Sequence, residues 1–324
     1  MLLTRWTVLA LVLSSAVSFA QIPPEKWTDD EIRAKVSTVR AGRKLTPPSW
    51  PEGARVAVCL SFDVDNETLA LHRRSAAPVD FSAGEYGALV GLPRILDLLD
   101  RQALPASFYI PAASALLHPE MVAAIEASGR HEIGLHGWIH EDLAALDDRA
   151  EEERLLSRSL DYFTSVLGRR PRGFRAPSWA FSRHTLSLIL EKGFLYDSSM
   201  MAMDEPYELL SEGKPTGLVE LPVDWILDDY PYFGPAASGS APAASVAAEI
   251  YRREFDRALE EGTLLMLTFH PHIIGHRYRM EDLEALISYM RSKPKVWFAT
   301  AEQIAEYVKR EAQPSTGNAS SLSR

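Results

Sequence analysis

Cysteine is almost absent. Cys59 is the only one in 324 residues, which excludes an intrachain disulfide and a cysteine-based metal site. Its setting, Val56-Ala57-Val58-Cys59-Leu60, reads as a strand thiol buried as a small hydrophobe. A long basic run is also missing. With 34 Lys and Arg against 44 Asp and Glu, the formal charge is −10, and an acidic surface repels phosphate backbones, so nucleic acid is not an expected partner. The one strongly apolar stretch near the start, residues 6–17, is too short for a comfortable membrane span. Arg5 precedes it and Ser18-Phe19-Ala20 follows as a small-x-small cleavage signal. Residues 1–20 are therefore expected to be a signal peptide, giving an exported (periplasmic or secreted) chain without a stable membrane span; an uncleaved anchor is the alternative. No internal repeat and no second domain is visible. What is present suits a soluble globular protein: 46% hydrophobic residues supply a large core, and 24% charged residues are ordinary.

Residues 21–50 are polar and contain Pro23, Pro24, Pro47 and Pro48. They read as an N-terminal arm with one helix near 29–36. The tail, 311–324, is rich in Ser, Asn and Gln and is expected to be disordered. Between them, over 51–310, strand-like and helix-like stretches alternate. Strands are expected at 55–62, 106–110, 132–135, 173–175, 218–223, 264–269 and 295–298. Helices are expected at 92–101, 119–128, 151–167, 184–192, 245–261, 282–292 and 300–310, several closed by a glycine such as Gly129, Gly168 or Gly193. Alternation without hairpin signals implies a parallel sheet with helices outside. Seven or eight such units make a single-domain α/β protein, a (β/α) barrel whose chemistry gathers at the C-terminal ends of the strands.

Polar residues stand at five of those ends. Asp63 and Asp65 follow the first strand, where strict strand geometry would put both on one face. One carboxylate could bind metal while the other acts as base; turn chemistry is the bland alternative. His136-Gly137-Trp138-Ile139-His140 follows the third strand and spaces two imidazoles for one face of a helical turn. Two neutral imidazoles and a carboxylate make a zinc-type donor set that leaves room for water. Gly137 excludes the zincin motif, which needs glutamate there. Arg175 follows the fourth strand, Asp224, Trp225, Asp228 and Asp229 the fifth, and His270, His272 and His276 the apolar run 264–269. A histidine at a strand end can serve as general acid.

In order and spacing these segments resemble the five motifs of the polysaccharide deacetylase (NodB-homology) family. Ser61-Phe62-Asp63-Val64-Asp65 resembles the first and the run from His131 through Glu141 the second. Phe174-Arg175-Ala176-Pro177 resembles the third, Leu221-Pro222-Val223-Asp224-Trp225 the fourth, and Leu267-Thr268-Phe269-His270 the fifth. The resemblance spans about 55–308 and implies a distorted (β/α) barrel with one divalent metal ion, zinc being the expected one. It implies Asp65, His136 and His140 as metal ligands, Asp63 as general base, Arg175 orienting Asp63, and His270 protonating the departing amine. Trp179, Asp224, Trp225, Asp229 and Tyr232 are the expected substrate-binding residues. Two departures stand out: Val64 separates aspartates that are usually adjacent, and Ser178 stands where the third motif usually carries an aromatic.

The segments Asp228-Asp229-Tyr230-Pro231-Tyr232 and 270–280 resemble a branch that includes allantoinase-like members beside peptidoglycan deacetylases. The expected function is metal-dependent hydrolysis of a non-peptide amide, foremost N-deacetylation of a glycan. A small-molecule amidase or cyclic imidase is the second reading, and a catalytically silent glycan-binding barrel, possible as a homo-oligomer like the others, is the third. Metal removal separates them: it should abolish turnover in the first two and leave binding in the third.

Overall fold

The computed structural model describes residues 23–234 and 243–312. The expected signal segment and nearly all of the expected tail lie outside them. By contact, the described residues up to Ser37 form a small unit of their own and those from Thr38 on the larger one. In the small unit a helix spans Asp29–Ser37. Thr28 and Glu31 cap it reciprocally: Glu31 N–H donates to Thr28 Oγ1, and Thr28 N–H donates to Glu31 Oε2 at 2.7 Å.

The larger unit is a curled, mixed ten-stranded sheet with helices around it. Its strands are β1 (Val39–Lys44), β2 (Val56–Asp63), β3 (Ser107–Ile110), β4 (Glu132–Leu135), β5 (Gly173–Phe174), β6 (Tyr196–Asp197), β7 (Tyr207–Ser211), β8 (Lys214–Glu220), β9 (Leu264–Phe269) and β10 (Val296–Phe298). The order is β1-β7-β8-β6-β5-β4-β3-β2-β10, and β9 also pairs with β2. From β6 through β5, β4 and β3 to β2 and β9 every pairing is parallel, so all these strands deliver their C-terminal ends to one rim. Between β8 and β9, among the described residues, only the bridge Asp228 to Thr268 joins the edges. The result is the expected distorted (β/α) barrel, with a seam at that place.

Every residue of β2 and β9 is buried, as nearly continuous apolar runs covered on both faces require. Along β2, Val56, Val58, Leu60 and Phe62 pack outward into the helix layer, while Ala57 and Cys59 face a second cluster inside the barrel with Tyr109, Tyr196 and Met266. The period of two therefore turns Asp63 inward. Outside, the helix Arg149–Leu167 starts at Asp148, whose carboxylate accepts from Ala150 and Glu151 N–H, and ends at Gly168 in the left-handed region (φ 65°). That is the stop the glycine signalled.

Two expectations need correction. The sheet is not wholly parallel: β7 and β8 form a hairpin through Glu212 and Gly213, both at positive φ. The Glu-Gly pair is the turn signal, of the kind that matches strand twist. The arm also ends earlier than residue 50, because Val39–Lys44 is β1, paired antiparallel with β7.

Candidate active site

The rim where β2, β4, β5 and β9 end carries a buried polar cluster. Asp63 closes β2, and Asp65 follows after Val64, whose N–H is held by Tyr109 C=O at 2.8 Å. Both carboxylates are nearly inaccessible. Arg175, directly after β5, is fully buried and donates from Nη1 to Asp63 Oδ1 at 2.7 Å and to Ser61 Oγ at 3.0 Å. Two further donors go to Ser198, Nε to the carbonyl and Nη2 to Oγ, and its guanidinium lies 4.0 Å over the Tyr109 ring. Asp63 Oδ2 is left facing His136 Nε2 at 3.7 Å.

His136 and His140 do meet, with ring centroids 5.2 Å apart, yet not on a helical turn as their spacing suggested. The backbone here is an irregular loop, with Gly137 and His140 both in the left-handed region. The Glu141 carboxylate explains it: it accepts from Trp138 and Ile139 N–H at 2.8–3.0 Å and pins the loop shut. Gly137 is required twice over, since a Cβ there would come within 2.9 Å of Pro177 and 3.0 Å of Glu141.

The donor atoms of Asp65, His136 and His140 all lie within 4.8 Å of one another. Asp65 Oδ1 is 3.6 Å from His136 Nε2, and Oδ2 is 3.6 Å from His140 Nε2. These gaps are too long for hydrogen bonds but suit ligand atoms arranged around one ion. Two further observations fit a cation. Asp65 Oδ1 is buried with no hydrogen-bond partner. His136 Nδ1 donates to Arg175 C=O at 2.9 Å, which fixes the tautomer and leaves a bare Nε2 pointing inward. Burial alone would raise Asp65, but His140, His136 and His270 outweigh it and hold the carboxyl down at about 2. Burial pushes His140 down to about 4, so its ring is neutral at ordinary pH.

His270 ends β9 on the opposite wall. Its Nδ1 donates to Asp229 Oδ1 at 2.7 Å, and its backbone N–H to Asp229 Oδ2. Burial opposes a charge on this ring, but Asp228 and Asp229 outweigh it and hold His270 well above the usual histidine range. Burial lifts the neighbouring Asp228 to about 7. Asp228, Asp229 and His270 also come together closely, but their short Nδ1 contact makes them a charge-orienting group. Nε2 of His270 is left facing Asp65 Oδ2 at 3.7 Å.

Above these groups lies a pocket of about 120 Å³. Its floor is Asp63, Asp65, His136, His140 and His270; its walls are Ser178, Trp179, Trp225, Asp228, Tyr230, Leu69 and Arg73. Trp179 is buried and Trp225 is half exposed, with ring centroids 4.2 Å apart. Asp229 and Arg175 stand directly behind the floor. Asp224 is elsewhere: it caps a short turn by accepting from Ile226 N–H and lines a separate cavity of about 420 Å³ at the β8–β9 seam. Tyr232 is also outside the pocket, its hydroxyl donating to Ile226 C=O.

Several contributors were not singled out from sequence. Ser198 and Ser199 follow β6, and Ser199 Oγ accepts from Ala176 N–H beside Arg175. Glu220, at the end of β8, accepts from Ser199 and Met200 N–H and so fixes that loop. Asp197 closing a short strand, with Ser198 and Ser199 after it, was the available signal. Arg73, on the pocket wall, had none beyond its nearness to Asp65.

A family model described as polysaccharide deacetylase matches residues 85–196. A peptidoglycan deacetylase of Helicobacter pylori is 30% identical, the match covering 79% of this chain and 97% of the relative. A solved structure from Mycobacterium smegmatis, assigned to the polysaccharide deacetylases, is 36% identical with a TM-score of 0.75, covering 88% of this chain and 99% of the other. An allantoinase structure is 26% identical with a TM-score of 0.71, covering 83% and 97%.

Proposed function

This chain belongs to the polysaccharide deacetylase family, hydrolases of carbon–nitrogen bonds other than peptide bonds, and we propose that it removes N-acetyl groups from an exported glycan such as peptidoglycan. The observation that carries this reading is the pairing of two proton-handling groups across one donor set. Asp63, oriented by Arg175, lies on one side of Asp65, His136 and His140; His270, oriented by Asp229, lies on the other.

Asp65, His136 and His140 would hold one divalent ion, and zinc suits two imidazoles and a carboxylate. When bound, such an ion polarises the amide carbonyl and acidifies water. Asp63 Oδ2, unused by Arg175, takes the proton from the attacking water. Arg175 keeps Oδ1 occupied and so fixes the rotamer of the base. His270, charged through its contact with Asp229, delivers a proton from Nε2 to the departing nitrogen. The C–N bond breaks, and acetate and a free amine leave. Trp179 and Trp225 offer ring faces on which a sugar can stack.

A small-molecule amide or cyclic imide is the second reading. The allantoinase likeness and the small volume of the pocket favour it. The apolar stretch 6–17 with its cleavage signal supports export and, with it, a glycan outside the cytoplasm.

The test is acetate release from peptidoglycan fragments and chitin oligomers by purified protein lacking residues 1–20, with zinc and with a chelator. Chelator-sensitive acetate is expected. No acetate from folded, zinc-loaded protein removes the glycan reading and turns the search to imides and other amides.

A further inference from the structure

Among the described residues, Arg73 is the one Lys or Arg that lines the pocket, and three carboxylates line it too. Yet Arg73 pairs with none of them. Among the described residues its guanidinium has no carboxylate within ion-pair distance. Its one hydrogen bond is a long one, Nη2 to Tyr230 Oη at 3.4 Å. Tyr230 in turn sets its ring edge-on to His270, with centroids 5.5 Å apart. The chain thus holds an exposed, unneutralised cation at the mouth, on a tyrosine that also touches the His270 ring. On a protein with an excess of acids, a cation without an acidic neighbour is free to take one from a ligand.

The pocket admits little beyond an acetamido group, at about 120 Å³. Whatever is attached to that group must lie at the rim, beside Arg73 and the half-exposed Trp225. We propose that Arg73 is a specificity-determining residue that binds a carboxylate carried by the substrate a few bonds from the scissile amide. The preferred substrate class is then an acidic N-acetylated sugar, and a neutral N-acetylglucosamine chain is the poorer substrate. A guanidinium presents paired donors matched to a carboxylate, and the same charge draws such a substrate to the mouth. The inference rests on the amide-hydrolase reading of the same pocket.

The test is binding of N-acetylmuramic acid and of its neutral carboxamide to the zinc-loaded protein, followed by calorimetry or by the fluorescence of the tryptophans at the pocket. The wild type should bind the acid about tenfold more tightly, as expected for a hydrogen bond to a charged group. That preference should shrink as salt is raised. Arg73→Gln should bring the ratio near one, Arg73→Lys should retain part of it, and Arg74→Gln, which lies outside the pocket lining, should leave it intact. Melting temperature and zinc content of each variant report on the fold and the ion. Equal binding of acid and carboxamide by the wild type, or a ratio unchanged in Arg73→Gln, overturns the proposal. Acetate release measured alongside separates the two readings: acetate without acid preference sinks the role of Arg73 alone, and acid preference without acetate sinks the deacetylase reading alone.

Discussion

Arg175 Nη1 and Asp63 Oδ1 are 2.7 Å apart, with the arginine fully buried and the aspartate 2% exposed. A charge pair this deep gains from its Coulomb attraction only because three further donors are also used, on Ser61 and Ser198. Arg175→Met should therefore cost about 3–5 kcal/mol of stability, the usual result of leaving one buried charge unpaired. Denaturant unfolding measures it. The double variant with Asp63→Asn should recover a large part, because no orphan charge remains; simple additivity of the two losses would show that the residues are not coupled.

Asp63→Asn alone separates catalysis from metal binding. The amide oxygen can still accept from Arg175, and Asp65, His136 and His140 are untouched. Zinc content should stay near one per chain while kcat falls by about two to four orders of magnitude, the range for loss of a general base. Unchanged turnover would take Asp63 out of the base role.

His136→Ala should do the reverse. It removes a donor atom that faces Asp65 and also deprives the Arg175 carbonyl of its partner. Outer-sphere changes at metal sites typically cost about 10–100-fold in affinity, and loss of a direct ligand should exceed that. Elemental analysis after dialysis is the check, and full zinc content in the variant would break the ligand assignment.

The residues of the site were legible in the sequence to the degree that the parallel sheet organises them. Runs such as 55–62 and 264–269 are mostly apolar because parallel strands are covered on both faces, and glycines such as Gly168 mark where helices stop. Once those strands are parallel, the polar residues following them share one rim, and Asp63, Asp65, His136, His140, Arg175 and His270 are brought together. The loop holding His136 and His140 was not legible, because a side chain, Glu141, decides its backbone. The support behind Arg175 was legible only in part: β5 was expected, but β6, which brings Ser198 and Ser199, is two residues long and carries no periodicity. Asp224 was placed by motif proximity, but the chain turns there and aims it into the seam.

Beneath the site another buried carboxylate makes the stability of the fold depend on pH. Glu132, on β4, accepts from Tyr196 Oη at 2.6 Å, from Ser107 Oγ at 2.7 Å and from Glu302 N–H at 2.9 Å, the last at the start of the helix Ala301–Glu311. Burial nevertheless dominates and lifts its pKa from an ordinary 4.5 to about 7. Below about pH 4.5 the carboxyl is protonated in both the folded and the unfolded chain. Between there and about 7 the folded chain holds one proton more, so stability falls as pH rises. The favourable contribution is complete below about 4.5 and is lost as pH passes 7, a change of about 3 kcal/mol. Glu132→Gln keeps the shape and removes the titration. The difference in unfolding free energy between wild type and variant, measured at pH 5 and pH 8, should move by about 2–3 kcal/mol in favour of the variant at the higher pH. Since Asp197 and Asp228, which burial also raises, are common to both proteins, they cancel in that difference. An identical difference at the two pH values would mean that Glu132 ionises as an ordinary glutamate and that the hydrogen bonds from Tyr196, Ser107 and Glu302 fully offset its burial.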